Sequence, residues 1–536
     1  MPASPGPVSA PRAPLAVPPP MPPAPPRWPL RSPAASSTAL LACGVGGVVG
    51  AATLPMDRPG LGWLLTGLAV TGGLIAVLIG TPQPSRPVAR TVWAAAALAL
   101  VAVGAIRAAD WLFVLCLLTA CLVAAVAVAG GRTAVGIVLA VPLVAAATLR
   151  AVPWLRRGLR TPPSTSPPSP GPSPGPTPGS GSGAAPGGQE RPGGNAVLRI
   201  AIAGVVGIGL LCVFGALFSA ADPAFAAVVS AILPDLHVTT LLRWLFLGGA
   251  VAGVTAGGAL LLTNPARYAD VRLPARRPLR RIEWALPVGL LVGLFAVFVG
   301  VQAAVLFGGR GYVLRTSGLT FAEYARRGFW QLLVVTMMTL VVIAFAARVA
   351  GRVQRADRIL IRVLLGGLTA GALVVVASAM SRMWVYEQAY GFTQLRIFVS
   401  AFELWLGALL VLVLVAGVRL RADWLPRAVL GAWVLTLLGL AVLNPDRFVA
   451  ARNVDRYERT GSIDVPYLRA LSADAAPELR RLPAPLRDCA LGAVAERLRT
   501  DPDEWYAYNA ARSAAAARLR HLTDPGFYHA LCMPSR

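Results

Sequence analysis

The feature that most constrains this chain is a recurrence. Runs of about 20 apolar residues, the length of helix that spans the hydrocarbon core of a bilayer, follow one another from residue 38 to residue 443, separated by short breaks rich in arginine. Inside hydrocarbon a backbone polar group finds no water, so such runs cross as helices that close their hydrogen bonds within the segment. The reading is an all-α fold: a polytopic transmembrane bundle of about twelve helices, divided 5 + 7, followed by a small polar helical C-terminal tail.

Composition agrees. The chain has 536 residues, of which 56% are hydrophobic and 14% charged, with a mean hydropathy of +0.64. The bilayer is therefore the first partner. The net charge of +25 does not indicate nucleic acid, because the arginines sit in the breaks between apolar runs and not in clusters with stacking aromatics.

The five early runs are 38–54, 61–80, 91–106, 111–130 and 133–149, and the seven later ones are 197–219, 241–262, 284–306, 329–345, 359–380, 397–418 and 428–443. Residues 1–37, rich in Pro, Ala and Ser, read as a disordered tail. The first apolar run after them reads as a retained span and not as a cleaved signal peptide. Residues 156–195 (with PPSTSPPSPGPSPGPTPGSGSG) read as a disordered linker. This linker is the clearest domain boundary, between the N-terminal helices (38–155) and the C-terminal bundle (196–443). The segment 222–236 is too short and interrupted to cross and reads as an interfacial helix.

Arginine in short loops marks the cytoplasmic side. Loops 263–283, 346–358 and 419–427 carry six, four and three arginines, and the alternate loops 222–240, 307–328 and 381–396 carry none, four and two. The linker reads as cytoplasmic and the tail (444–536) as extracytoplasmic. Five crossings before the linker would then put the N-terminus outside, in conflict with its Arg12, Arg27 and Arg31, so one early span is suspect.

Four cysteines (Cys43, Cys116, Cys121, Cys212) lie in apolar runs as small hydrophobes. Cys489 and Cys532 lie in the tail, where export would permit a disulfide. Three scattered histidines give no metal site, and no cofactor motif is present. Walker, HExxH and GxSxG signatures are absent, and nothing speaks for an enzyme.

Small residues at four-residue spacing (Gly249, Gly253, Gly257; Gly289, Gly293; Gly367, Gly371) suit close helix packing, within the bundle or between copies. Glu403, in IFVSAFELWLG, is the one acid deep in a span; it is either a structural glutamate with an arginine or carbonyl partner, or a proton- or substrate-handling group. Three polar stretches fall on one side of the membrane. There Glu323, Tyr324, Arg326 and Arg327 are placed to meet Tyr386, Glu387, Tyr390 and Arg396, either as an aromatic belt with ion pairs or as a site for an anionic lipid headgroup or a peptide. In the tail, Asp501, Pro502 and Glu504 read as a capping box opening a helix of about twenty residues that stops at Asp524-Pro525-Gly526.

The segments TFAEYARRGFWQL, RMWVYEQAYGFTQLR and NPDRFVAARNVDRYERTGSIDVPYLRALSADAAPEL resemble a bacterial integral-membrane family known as a domain of unknown function, the group numbered 4173 with its sister 4153, over roughly residues 197–480. The resemblance implies a bacterial, actinobacterial multi-pass protein and carries over no catalytic residue. It draws attention to Asn444, Asn453, Asp464, Tyr467 and Asp474. Asn444 and Asp464 are placed to cap helices, and the set is expected to hold the tail against the bundle.

Two function classes follow. One is a sensory or scaffolding component of the envelope, whose tail and loops meet an envelope protein or anionic lipid. The other is a transporter or lipid-handling protein built around Glu403, which requires that Glu403 face a wet cavity.

Overall fold

The computed structural model describes residues 34–80, 87–160, 238–265, 279–317, 321–351 and 354–520 with the isolated positions 207, 214, 218 and 222, the side chains of 87, 238, 239 and 305–328 excepted. The expected N-terminal tail is outside the described residues up to 33. The expected linker 156–195 is corrected at its start, since residues 156–160 end a helix; from residue 161 it lies outside the described residues, as do the 197–219 span and the 222–236 helix, isolated positions apart.

The described apolar runs are helices. In chain order they are α1 (Ser37–Thr53), α2 (Leu61–Ile79), α3 (Pro87–Ile106), α4 (Asp110–Ala129), α5 (Ala134–Val138), α6 (Ala140–Arg160), α7 (Val238–Thr263), α8 (Arg281–Ser317), α9 (Phe321–Val349), α10 (Arg355–Tyr390), α11 (Gln394–Arg419) and α12 (Leu425–Leu443). Among the described residues nine of these, α2 to α4 and α7 to α12, are long and apolar enough to cross a membrane. The 17-residue α1 packs among them. Local chemistry sets the ends. Ser36 accepts from the Ala39 amide to open α1, Gly130 closes α4 in the left-handed region, and Gln354 with Asp357 forms a capping box on α10.

Packing does not respect the expected boundary at the linker. Helix α7, which follows the linker in sequence, packs against α1, α2 and α6, which precede it. One close approach is at Gly47 and Gly248, where a Cβ on either would lie 3.0 Å from the other's carbonyl oxygen. Of the expected glycine faces, Gly257 abuts Thr148 and Gly371 abuts Phe295, whereas Gly249 and Gly293 have open space. A second core joins α8 to α11 around Phe295, Leu368 and Leu410. A third joins α3, α4 and α12 to the tail through Leu112, Leu437, Leu471 and Leu491.

The expected span 133–149 is a correction. The chain breaks at Leu139 between α5 and α6, and α6 runs on to Arg160. Its contacts stay within one end of the bundle: Thr148 meets Gly253 and Gly257, Ala151 and Trp154 pack on Ala35, Ala39, Ala256 and Leu260, and Gly158 sits against Ala35. A helix that begins beside Val128 at the end of α4 and ends beside the start of α1 has not crossed. With α6 lying across the end and Gly158 against Ala35, Ser37 and Arg160 share a face.

The tail folds as a cap on the opposite face. It comprises α13 (Pro445–Thr460), α14 (Val465–Arg469), a 3-10 turn (Ala473–Ala475), α15 (Ala476–Leu479), α16 (Ala484–Thr500), a second 3-10 turn (Trp505–Ala507) and α17 (Ala510–Leu519). The expected capping box at Asp501 is also corrected. Asp501 follows the end of α16, Glu504 leads only a 3-10 turn, and α17 is capped by Asn509, whose Oδ1 accepts from the Arg512 amide at 3.1 Å. The acids are used elsewhere: Arg58 pairs with the Asp501 and Asp503 carboxylates.

Candidate functional site

The cap reaches the bundle at the turns between helices, where backbone amides and carbonyls are otherwise unpaired. At the α3–α4 turn, Asp474 Oδ2 accepts from the Ala108 amide at 2.6 Å. Its Oδ1 accepts from Asn444 Nδ2 at 3.0 Å, and the Arg107 guanidinium lies 3.8 Å away. Burial pushes the Asp474 carboxyl up from its ordinary value, opposed by the Ala108 amide, Arg107 and Asn444. Asn509 donates to the carbonyls of Gly104 and Arg107, both at 2.8 Å. At the α1–α2 turn, the Leu61 amide donates to the Tyr508 carbonyl at 2.9 Å. Buried Arg512 donates to the Pro59 carbonyl at 2.8 Å while pairing with Asp503 at 2.9 Å.

The α10–α11 turn is held in the same way. Asn453 closes two bonds on Phe392, accepting from its amide at 3.2 Å and donating to its carbonyl at 2.8 Å. Gly391 has φ +85°, and a Cβ there would meet Asn453 Oδ1 at 2.6 Å, so the turn requires glycine. The Tyr467 hydroxyl accepts from the Gln394 amide at 2.7 Å, and burial raises its pKa. Asp464 caps α14 by accepting from the Tyr467 amide at 3.0 Å. Asn444, with φ 56°, ends α12 and opens α13.

Asp446 is the fully buried centre of this interface. It accepts from Gln394 Nε2 at 2.8 Å, Trp111 Nε1 at 3.4 Å and the Ser472 amide at 2.9 Å, linking α4, α11 and the cap. Beside it a cavity of about 510 Å³ opens between cap and bundle, lined by Arg58, Asp110, Trp111, Gln394, Asp446, Arg497 and Arg512 among others. Its volume is that of a small-ligand site. Arg58 and Arg512 are committed to Asp501 and Asp503. Asp110 makes no hydrogen bond among the described residues, although Arg512, Arg497 and Arg58 all act electrostatically on it. Arg497 donates to the carbonyls of Leu471 and Arg469 and makes no ion pair among the described residues. An uncommitted carboxylate and a guanidinium free of carboxylate partners thus line one cavity with an indole, an arrangement that holds polar groups of either sign.

The residues expected from sequence distribute differently. Tyr386 and Arg396 come together, with the guanidinium donating to the phenol at 3.1 Å and lying 4.2 Å from its ring centroid. Tyr390 packs on Tyr386 at 5.1 Å. Glu387 is buried with Oε1 unpartnered among the described residues. Glu323, Tyr324, Arg326 and Arg327 lie on α9, their side chains outside the described residues. Glu403 is fully buried on the α11 face that carries Leu406 and Leu410. Neither of its oxygens has a partner among the described residues, and it lines neither the polar cavity nor a second, apolar one. Cys489, buried in α16, is disulfide-bonded, and Cys532 lies outside the described residues. No group of three metal-ligating side chains occurs among the described residues.

Sequence reasoning did not single out Arg58, Arg107, Asp110, Asp446, Arg497, Asn509 or Arg512. Asp446 stood inside the quoted NPDRF segment, where the Asn-Pro pair announces a helix junction; the others carried no local signal.

No curated protein and no solved structure matches the chain. A family model, Domain of unknown function (DUF4153), matches residues 95–482. The match begins within α3 and not at residue 197. It carries the number 4153 and not the expected 4173, and it spans the α3–α4 turn together with the cap through Leu482. It covers well over half of the sequence, and the chain therefore belongs to the DUF4153 family.

Proposed function

We propose that this protein is a sensory or scaffolding component of the bacterial cell envelope, in which the cap faces the extracytoplasmic side and offers the mixed-charge cavity to a polar peptide segment of an envelope partner. The observation that carries the reading is the cavity itself, bounded by cap and bundle together, so that an occupant bears on both. Sidedness rests on arginine. The face opposite the cap bears Arg150, Arg156, Arg157 and Arg160 on α6, with Arg280, Arg281, Arg355, Arg358 and Arg421 at other helix ends. The cap-side turns and helix ends bear Arg58, Arg107, Arg243, Arg310, Arg315, Arg326, Arg327, Arg382 and Arg396, whereas the opposite face adds Arg132, Arg348, Arg362, Arg419 and Arg427 to its set; Arg58 and Arg107 are bound into the interface. Arginine in short loops stays cytoplasmic. Four early crossings instead of five also remove the conflict over the N-terminus, which then shares the cytoplasmic side with the linker.

The transport alternative drew on Glu403 in a wet cavity. Its burial away from both cavities takes that support away.

The test is a cysteine at the exposed Glu458 on α13, treated in intact cells with a membrane-impermeant maleimide. Labelling without lysis supports the reading. Labelling only after lysis puts the cap in the cytoplasm and ends the proposal of an envelope partner.

A further inference from the structure

An apolar groove of about 470 Å³ runs between α9, α10, α11 and α12 in the half of the bundle away from the cap. Its walls include Ile343, Leu365, Gly366, Leu409, Val413 and Gly417. Val341 and Val418, also on the lining, are each 63% exposed, so the groove opens toward the surrounding lipid. Two lining side chains are polar, Arg362 and Thr369. The Thr369 hydroxyl is satisfied internally, donating to the Leu365 carbonyl at 2.6 Å. Arg362 makes no ion pair or hydrogen bond among the described residues.

The depth of Arg362 identifies what it meets. Helix α10 has 36 residues and at ~1.5 Å per residue is ~54 Å long, against a hydrocarbon core of ~30 Å. Each end therefore projects by roughly 12 Å if the helix is centred. Arg362 stands seven residues from the start, ~10 Å along the helix, which is the level of lipid phosphates. From there the groove continues through Leu365 and Gly366 to Thr369, another ~10 Å into the hydrocarbon. A guanidinium at phosphate depth above an apolar channel is the shape and charge of one phospholipid. The surroundings favour a net negative headgroup. Arg355 and Arg358 are also without ion pairs among the described residues, and the nearby Asp357 is taken by Arg281.

We infer that this groove is a binding site for an anionic phospholipid, with the phosphodiester on Arg362 and an acyl chain between α10 and α11. The inference is independent of the cap cavity and of the proposed envelope role. A basic residue near an anionic membrane surface contributes ~1 kcal/mol, about a fivefold preference, and basic pockets between transmembrane helices recognise anionic headgroups by the same attraction.

Two glycines make the test clean. A Cβ on Gly366 or Gly417 would meet nothing within 4 Å, so Gly366→Leu or Gly417→Leu fills the groove without displacing backbone. Delipidated full-length protein is titrated with dioleoylphosphatidylglycerol or dioleoylphosphatidylcholine, and bound lipid is counted by native mass spectrometry. The wild type is expected to hold one phosphatidylglycerol about fivefold more tightly than phosphatidylcholine. Arg362→Gln is expected to abolish the preference, and either glycine variant to lose the bound lipid of both kinds. Equal binding of the two lipids by the wild type overturns the inference, as does undiminished phosphatidylglycerol binding in Arg362→Gln and Gly417→Leu.

Discussion

If the cap is held by carboxylates accepting from turn amides, Asp474→Asn should loosen it in a way that a second substitution repairs. Asp474 is 4% exposed and takes hydrogen bonds from the Ala108 amide and Asn444 Nδ2 on its two oxygens. An asparagine keeps one acceptor, which the Ala108 amide uses. Its Nδ2 then faces Asn444 Nδ2, donor against donor, and the Arg107 guanidinium loses its counter-charge. A hydrogen bond to a charged group contributes ~1.5–3 kcal/mol, and a stranded buried donor costs ~1–3 kcal/mol. The single variant should therefore lose roughly 2–4 kcal/mol. The double variant Asn444→Asp/Asp474→Asn reverses the pair. The amide introduced at position 474 would accept from Ala108 and donate to the carboxylate introduced at position 444. That carboxylate keeps the cap on the Arg447 amide, and an aspartate tolerates the left-handed backbone at φ 56°. The double variant should recover at least half of the loss. The assay is thermal unfolding of detergent-solubilised protein, with limited proteolysis at the α12–α13 junction reporting cap release. An unchanged Asp474→Asn variant, or a double variant as poor as the sum of its parts, would refute the reasoning.

Further outcomes are expected. Gly391→Ala places a Cβ against Asn453 Oδ1 in a backbone with φ +85° and should cost ~1–3 kcal/mol, read as a lower melting temperature with earlier proteolysis of the cap. Tyr467→Phe removes the acceptor for the Gln394 amide, a loss of ~1 kcal/mol. Because burial raises the Tyr467 pKa, the folded form retains the phenolic proton longer than the unfolded form. Wild-type stability should therefore fall as pH rises above ~10, and Tyr467→Phe should lack that share of the alkaline slope in melting curves. Glu403→Met, which replaces a carboxyl with no partner among the described residues, should leave the melting temperature unchanged or higher; a fall of several degrees would reveal a partner. Asp110→Asn on the cavity wall should cost under ~1 kcal/mol, whereas Asp446→Asn should cost ~2–4 kcal/mol; equal losses would mark the cavity wall as structural.

The fold was legible because its signals are local. Twenty-residue apolar runs and the Asn444 cap at the end of the last run each act over a few residues, and most of the described helices lie where these place them. The 133–149 run misled because apolar content alone does not separate a crossing helix from one lying across the bundle. What distinguishes α6 is that Trp154 and Gly158 have Ala35 as a neighbour, a contact between residues over a hundred positions apart. The Asp501 capping box misled for a related reason. Its acids fit a helix start, but Arg58 in the α1–α2 turn and Arg512 in α17 claim them, and a buried or bidentate arginine outweighs a cap.

The candidate site lay beyond such reading because it is assembled from ends. Asp110 opens α4, Gln394 opens α11, Asp446 opens α13, and Arg497 and Arg512 come from the cap. Little marks these residues in their own segments: acids in a first turn, as Asp110 and Asp446 are, and an arginine in a last turn, as Arg497 is, are what the helix dipole favours anywhere. Only the cap's docking on the α1–α2, α3–α4 and α10–α11 turns brings them within reach of one another. That same docking ties together the third core, α3 with α4 and α12, and the second core through α10 and α11. Asp446 bridges α4 and α11 through Trp111 and Gln394, so a displacement of the cap must strain both cores at once. An occupant of the cavity touching Asp110 and Arg497 would therefore act on the relative positions of the two helix groups, which a surface-bound partner of the cap alone would not do.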